Sequence, residues 1–140
     1  MLLLAAIGCS STTGPEYVTV PGVIAAAVAL PAPVIVAPDT VLVNAQFSIT
    51  VNSFGTSCAT AETASALLGG GTPDVAIVSV WDRQQVGGTC TPTVRALPRT
   101  LTLFFTRVGT ATIRVRGRYE GGAAAGGDSL VFVEKRMVVQ

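Results

Sequence analysis

The chain has 140 residues, of which 49% are apolar and 12% charged, with a net charge of +1. That length holds one domain with a real core, and near-neutrality with 6% aromatic residues argues against a nucleic-acid partner. There is no histidine, which removes the commonest general base and the commonest zinc ligand.

The chain opens MLLLAAIGCSSTTGPE. Leu2 to Ile7 is apolar but far short of the about 20 residues that span a bilayer. It has the length of a signal-peptide hydrophobic region. Ala6-Ile7-Gly8 leads into Cys9, and Ser10-Ser11-Thr12-Thr13-Gly14-Pro15 follows as a tether composition. This arrangement resembles the lipobox of bacterial lipoproteins. The resemblance implies a signal peptide over 1–8, cleavage before Cys9, lipid on its sulfur and its new amine, and a tether over 9–16. It implies a place in the bacterial cell envelope, with the membrane as partner through Cys9. Ser10 after the cysteine points to the outer membrane. The family usually has Leu where Ala6 stands. No Lys or Arg precedes the run, and a start upstream of Met1 is the expectation that supplies them. The competing reading of the run is a short buried strand with an incidental cysteine.

From Glu16 to Pro38, Val-rich pieces are cut by Pro21, Pro31, Pro33 and Pro38. Proline removes a ladder donor, so edge or switching strand pieces are expected. Val23 to Leu30 is read as extended, with a short helix as the alternative because Ala favours it. Val41-Leu42-Val43 is a strand, and Asn44 a turn residue that tolerates positive φ. Phe47, Ile49 and Val51 then alternate with Ser48, Thr50 and Asn52, which predicts one buried and one wet face. Thr60 to Leu68 reads as a weak strand or short helix, and Gly69 to Asp74 as a loop. Asp74 to Asp82 (DVAIVSVWD) is a strand, with Trp81 expected as a core anchor. Leu101, Leu103 and Phe105 form an inward face, leaving Phe104 on the polar side. Ala111, Ile113 and Val115 point in, while Thr112, Arg114, Arg116 and Arg118 point out. Gly121 to Gly127 is a hairpin loop, and Ser129 to Val139 the last strand.

This makes about seven strands joined by short loops, an all-β fold whose natural solution is a single antiparallel two-sheet sandwich. Two stretches are similar to bacterial immunoglobulin-like domains. Pro38 through Asn44 to Val51 matches their A′–B hairpin, and Val108 to Val115 their E–F turn. The resemblance implies an immunoglobulin-like sandwich over 17–140 and says little about function. Cys58 and Cys90 are the two cysteines beyond Cys9, and in an exported chain they are read as a disulfide. Antibody-type domains carry their disulfide across the core instead.

No catalytic constellation is legible. The single lysine, Lys135, has no Ser-x-x-Lys spacing, and the glycine-rich 121–129 segment lacks the Gly-Lys-Ser/Thr of a phosphate loop. Asp39, Asp74 and Asp128 sit in loops without calcium-binding spacing, so turn formation is the plainer role. No cofactor and no metal are expected. Charge is segregated: residues 1–82 hold five acids and no base, and residues 83–118 hold seven arginines and no acid. Arg114, Arg116 and Arg118 lie at i, i+2 and i+4, hence along one strand face about 6.5–7 Å apart. Arginine forks suit carboxylate and phosphate, so this row is the candidate docking stripe for an acidic protein, glycan or lipid headgroup. The plainer role is a solvated face paired with neighbouring acids. The leading expectation is a lipid-anchored, non-catalytic binding or structural module. A small envelope enzyme using carboxylates requires close, buried acids. A carrier of an apolar ligand requires a hollow core.

Overall fold

The computed structural model describes residues 13–69, 74–121 and 129–140. The expected signal peptide over 1–8, Cys9 and Asp128 lie outside those residues, as does most of the 121–127 loop. Among the described residues there are ten strands and no helix: β1 (Glu16–Pro21), β2 (Val23–Ala26), β3 (Ile35–Val36), β4 (Thr40–Val41), β5 (Phe47–Gly55), β6 (Ala59–Leu68), β7 (Val75–Val86), β8 (Arg95–Leu103), β9 (Gly109–Glu120) and β10 (Leu130–Val139). The count exceeds seven because prolines and turns cut the 16–43 segment into four short pieces. The Val23 stretch is extended as far as Ala26, and the Thr60 stretch is a strand rather than a helix.

Ladder pairing links all ten strands into one curled sheet in the order β1-β7-β9-β2-β5-β3, with β6 on β7, β10 on β9, β4 on β10 and β8 on β5. The join between β2 and β5 is the single pair Val23↔Phe54. An all-antiparallel arrangement was expected. Instead β7–β9, β2–β9 and β4–β10 run parallel. The reason for the first is topological: β8 crosses to pair with β5, so β9 returns in the direction of β7. One core cluster takes Ile49, Val51 and Leu103 from β5 and β8, and Val78, Ile113, Val115 and Met137 from β7, β9 and β10. Phe47 stacks on Phe105 with centroids 5.8 Å apart. Asn44 has φ of 59°, as a turn before β5 requires, and its N–H donates to the Phe105 carbonyl at 2.7 Å.

The alternation read in β9 holds: Ala111, Ile113 and Val115 are buried. In β5 it holds only through Val51. Asn52 is buried too, because its Nδ2 donates to the Pro33 carbonyl at 2.7 Å. Ser53 points inward into a polar knot. Its Oγ donates to Asp82 Oδ1 at 2.7 Å and accepts from Arg99 Nη1 at 2.9 Å. Arg99 Nη2 donates to Asp82 Oδ1 and to the Trp81 carbonyl, and Nη1 also donates to the Leu97 carbonyl. Arg99 and Asp82 are both buried. The knot thus binds β5, β7 and β8 across the core.

Between β1 and β2 the chain crosses β9. The Arg118 N–H donates to the Gly22 carbonyl at 2.9 Å. A Cβ on Gly117 would stand 2.5 Å from that carbonyl oxygen and 2.8 Å from Ile24 Cγ2. Both neighbours are buried or backbone, so neither can yield cheaply. Gly117→Ala should therefore lower stability by about 1–3 kcal/mol, read as a fall in Tm. An unchanged Tm would contradict the crossing geometry.

Cys58 and Cys90 are joined by a disulfide with Cα atoms 5.4 Å apart. It fastens the start of β6 to the loop before β8. Two hydrogen bonds repeat the link, Thr91 N–H to Ser57 Oγ at 2.9 Å and Arg95 Nη2 to the Ala59 carbonyl at 3.2 Å.

Candidate docking face

Strand parity decides which side chains reach solvent here. Along β7, Ala76, Val78, Val80 and Asp82 are buried, so Ile77, Ser79, Trp81 and Arg83 point outward. Trp81 is 38% exposed and is not a core anchor. Phe104 is exposed, as its parity predicts, and with Leu68, Gly69 and Thr106 it lines a cavity of about 260 Å³.

Residues paired across strands share a face. Arg114 lies opposite Ile77 of β7 and Glu134 of β10, and Arg116 opposite Ser79 and Phe132. The structure treats the three arginines differently. Arg114 Nε is 2.6 Å from Glu134 Oε1, an ion pair lacking hydrogen-bond alignment, and its guanidinium lies 4.5 Å from the Phe132 ring centroid. Arg116 is exposed and has no ion-pair partner among the described residues. It lines a pocket of about 70 Å³ with Pro21, Ser79, Val80, Trp81 and Leu130. Arg118 lines a different cavity of about 60 Å³, together with Asp82, Gln84 and Glu120.

The Arg116 pocket has a clear structural origin. β7 pairs with β9 only as far as Ser79, and from Trp81 onward that edge pairs with β1. The chain leaves β1 at Pro21 and dives beneath, so the outer surface is notched where β7 changes partners. Beyond the notch, Arg83 lies 4.3 Å above the Tyr17 ring. Sequence reasoning found the arginines from their spacing. It missed Trp81, although the apolar row Ala76, Val78 and Val80, with Ser79 between, already put position 81 on the outer side.

Among the described residues the acids do not form one cluster. Asp39 accepts from Lys135 Nζ at 2.8 Å, and this hydrogen bond and charge hold its carboxyl below its ordinary value of 3.8. A depressed folded value means the contact favours the fold above pH 3.8 and loses that effect as pH falls through the folded value. Lys135→Met should return the Asp39 titration to its ordinary range by NMR; an unmoved titration would contradict the contact. Asp82 and Glu120 line one cavity, but the Asp82 carboxylate is already held by Arg99 and Ser53. No group of three or more metal-ligating side chains occurs among the described residues. No helix among them is long and apolar enough to cross a membrane.

Compared with known protein families, curated proteins and solved structures, the chain matches none.

Proposed function

We propose that this protein is a lipid-anchored module of the bacterial cell envelope, immunoglobulin-like in build, that binds a partner and performs no catalysis. One observation carries the binding role: Trp81, Leu130, Phe132 and Arg116 are exposed together on the outer face of β7, β9 and β10. Large apolar side chains clustered with arginine on a rigid sheet are what interfaces are made of. The sandwich reading rests on the single-pair join between β2 and β5, which leaves β3, β5 and β8 nearly a separate layer over the shared core. The anchor rests on the lipobox-like sequence ending at Cys9.

The carboxylate-enzyme reading is weaker because Asp82, the buried acid, is tied up by Arg99. The apolar-carrier reading is weaker because Val51, Val78, Ile113 and Val115 fill the centre of the domain. The test takes the full chain from the native envelope. Intact mass should show a chain beginning at acylated Cys9, and cross-linking should capture a partner that the Arg114→Ser/Arg116→Ser/Arg118→Ser variant loses. An unmodified Met1 would remove the anchor. A partner set indifferent to the arginines would return them to the role of a solvated face.

A further inference from the structure

We propose that the notch between Trp81 and Arg116 is the anchor point for an acidic protein segment in extended conformation, which seats an apolar side chain in the pocket and a neighbouring carboxylate on Arg116. This deepens the binding role proposed above and rests on it.

Size comes first. A site for a free small molecule encloses about 300–1,000 Å³. The notch holds about 70 Å³, room for the end of one side chain. Its occupant must therefore belong to something larger that spreads over the face around it.

The chemistry of the walls comes next. Pro21, Trp81 and Leu130 are apolar, while Arg116 and Ser79 are polar. An apolar group beside an anion satisfies both. A purely polar headgroup would leave the indole and Leu130 wet, and a neutral apolar group would bury the guanidinium without a counter-charge.

The surroundings identify the kind of partner. Two cation–π pairs flank the notch, Arg83 on Tyr17 and Arg114 on Phe132. Each ring holds its arginine in place, so less rotamer freedom is lost on binding. Tyr, Trp and Arg together are the side chains that dominate protein–protein contacts. Charge complementarity points to an acidic occupant: Arg83, Arg114 and Arg116 outnumber Glu134, the acid paired to Arg114, and Glu62, which accepts from Thr19 opposite Arg83. Geometry points to an extended one. Arg114 and Arg116 stand at i and i+2 of a strand, about 6.6–6.8 Å apart along the chain, which is also the spacing of alternate side chains in an extended peptide. A segment with acids at two alternate positions and an apolar residue at the next alternate one, all three pointing to the sheet and laid along β9, matches both the charge spacing and the notch.

Trp81 is the only tryptophan in the chain, so its fluorescence reports on the notch directly. The experiment titrates the full-length protein in detergent micelles with a synthetic peptide repeating Glu-Ser-Glu-Ser-Val-Ser, which presents Glu and Val on one face when extended. Parallel titrations use poly-glutamate, an oligogalacturonate and phosphatidylglycerol vesicles. The expected result is a saturable change in Trp81 emission with this peptide, and weaker binding by poly-glutamate. Arg116→Gln or Leu130→Ser should each weaken the peptide at least tenfold while the circular dichroism and Tm stay as in the wild type. Preference for the oligogalacturonate or the vesicles at the same residues would overturn the peptide assignment and leave the binding role standing. Peptide binding untouched by both substitutions would overturn the notch as anchor. No response to any of the four probes would overturn the notch and count against the binding role itself.

Discussion

Asp82→Ala should destabilise the domain by about 3–5 kcal/mol, the cost of breaking a buried ion pair by removing one partner. The carboxylate it deletes accepts from both Arg99 and Ser53. Without it the Arg99 guanidinium stays buried among β5, β7 and β8 with only neutral acceptors, the Trp81 and Leu97 carbonyls and Ser53 Oγ. Few single domains have more than 5–15 kcal/mol to lose, so the variant should melt far below the wild type or accumulate unfolded. The paired replacement Asp82→Leu/Arg99→Met is the informative partner. Removing both leaves no unpaired charge, only the buried Ser53 hydroxyl without its two partners, so it should recover part of the loss. Recovery in the double variant identifies the knot as a device that fixes which strands meet; no recovery would mean that its hydrogen bonds to Ser53 and the backbone carry the stability. A single variant that unfolds like the wild type would contradict the burial of the pair.

The second large effect belongs to the disulfide. Cys58 and Cys90 are 32 residues apart, and closing such a loop is worth about 3–4 kcal/mol in the chain-entropy treatment, whose mechanism is disputed. Cys58→Ala/Cys90→Ser should lose about that much in denaturant unfolding. Most of the native circular dichroism should survive, because β5–β8 and β6–β7 pairing does not pass through the sulfurs. The β6 amides near Ala59 should lose hydrogen-exchange protection first. Equal loss of protection across β7 and β9 would show instead that the bond supports the whole sheet.

Much of the fold is legible because period-two alternation survives wherever one face is buried. Ile49 and Val51, Leu103 and Phe105, and Ala111 to Val115 were placed on the correct side by alternation alone. So was the Asn44 turn. The same parity would have exposed the polar knot: Asp82 continues the inward row of Val78 and Val80, and Arg99 that of Leu97 and Leu103. An acid and a base on the inward parity of two strands that face one core must meet or destabilise the domain. Trp81 was misplaced because its size outweighed its parity.

What the sequence could not supply was the pairing order. The parallel approach of β7 to β9 follows from where β8 crosses, a long-range choice that no local pattern encodes. The notch depends on that choice. Pro21, Ser79, Arg116 and Leu130 come from four strands and converge only because β7 changes partners there. Arg114, Arg116 and Arg118 could be read as a row, but not the way their surroundings divide them. Arg114 is paired with Glu134, Arg116 opens onto the notch, and Arg118 lines the cavity holding Asp82.

The most direct measurement is site-specific photo-cross-linking in the native envelope. A photoreactive residue would replace Ser79, within the notch, or Thr102 on the exposed side of β8 as control. The account predicts a discrete adduct from position 79 that is missing from position 102 and vanishes when Arg116→Gln is added. The same products from both positions, or none from position 79 while the folded protein is present, would contradict a binding role for this face.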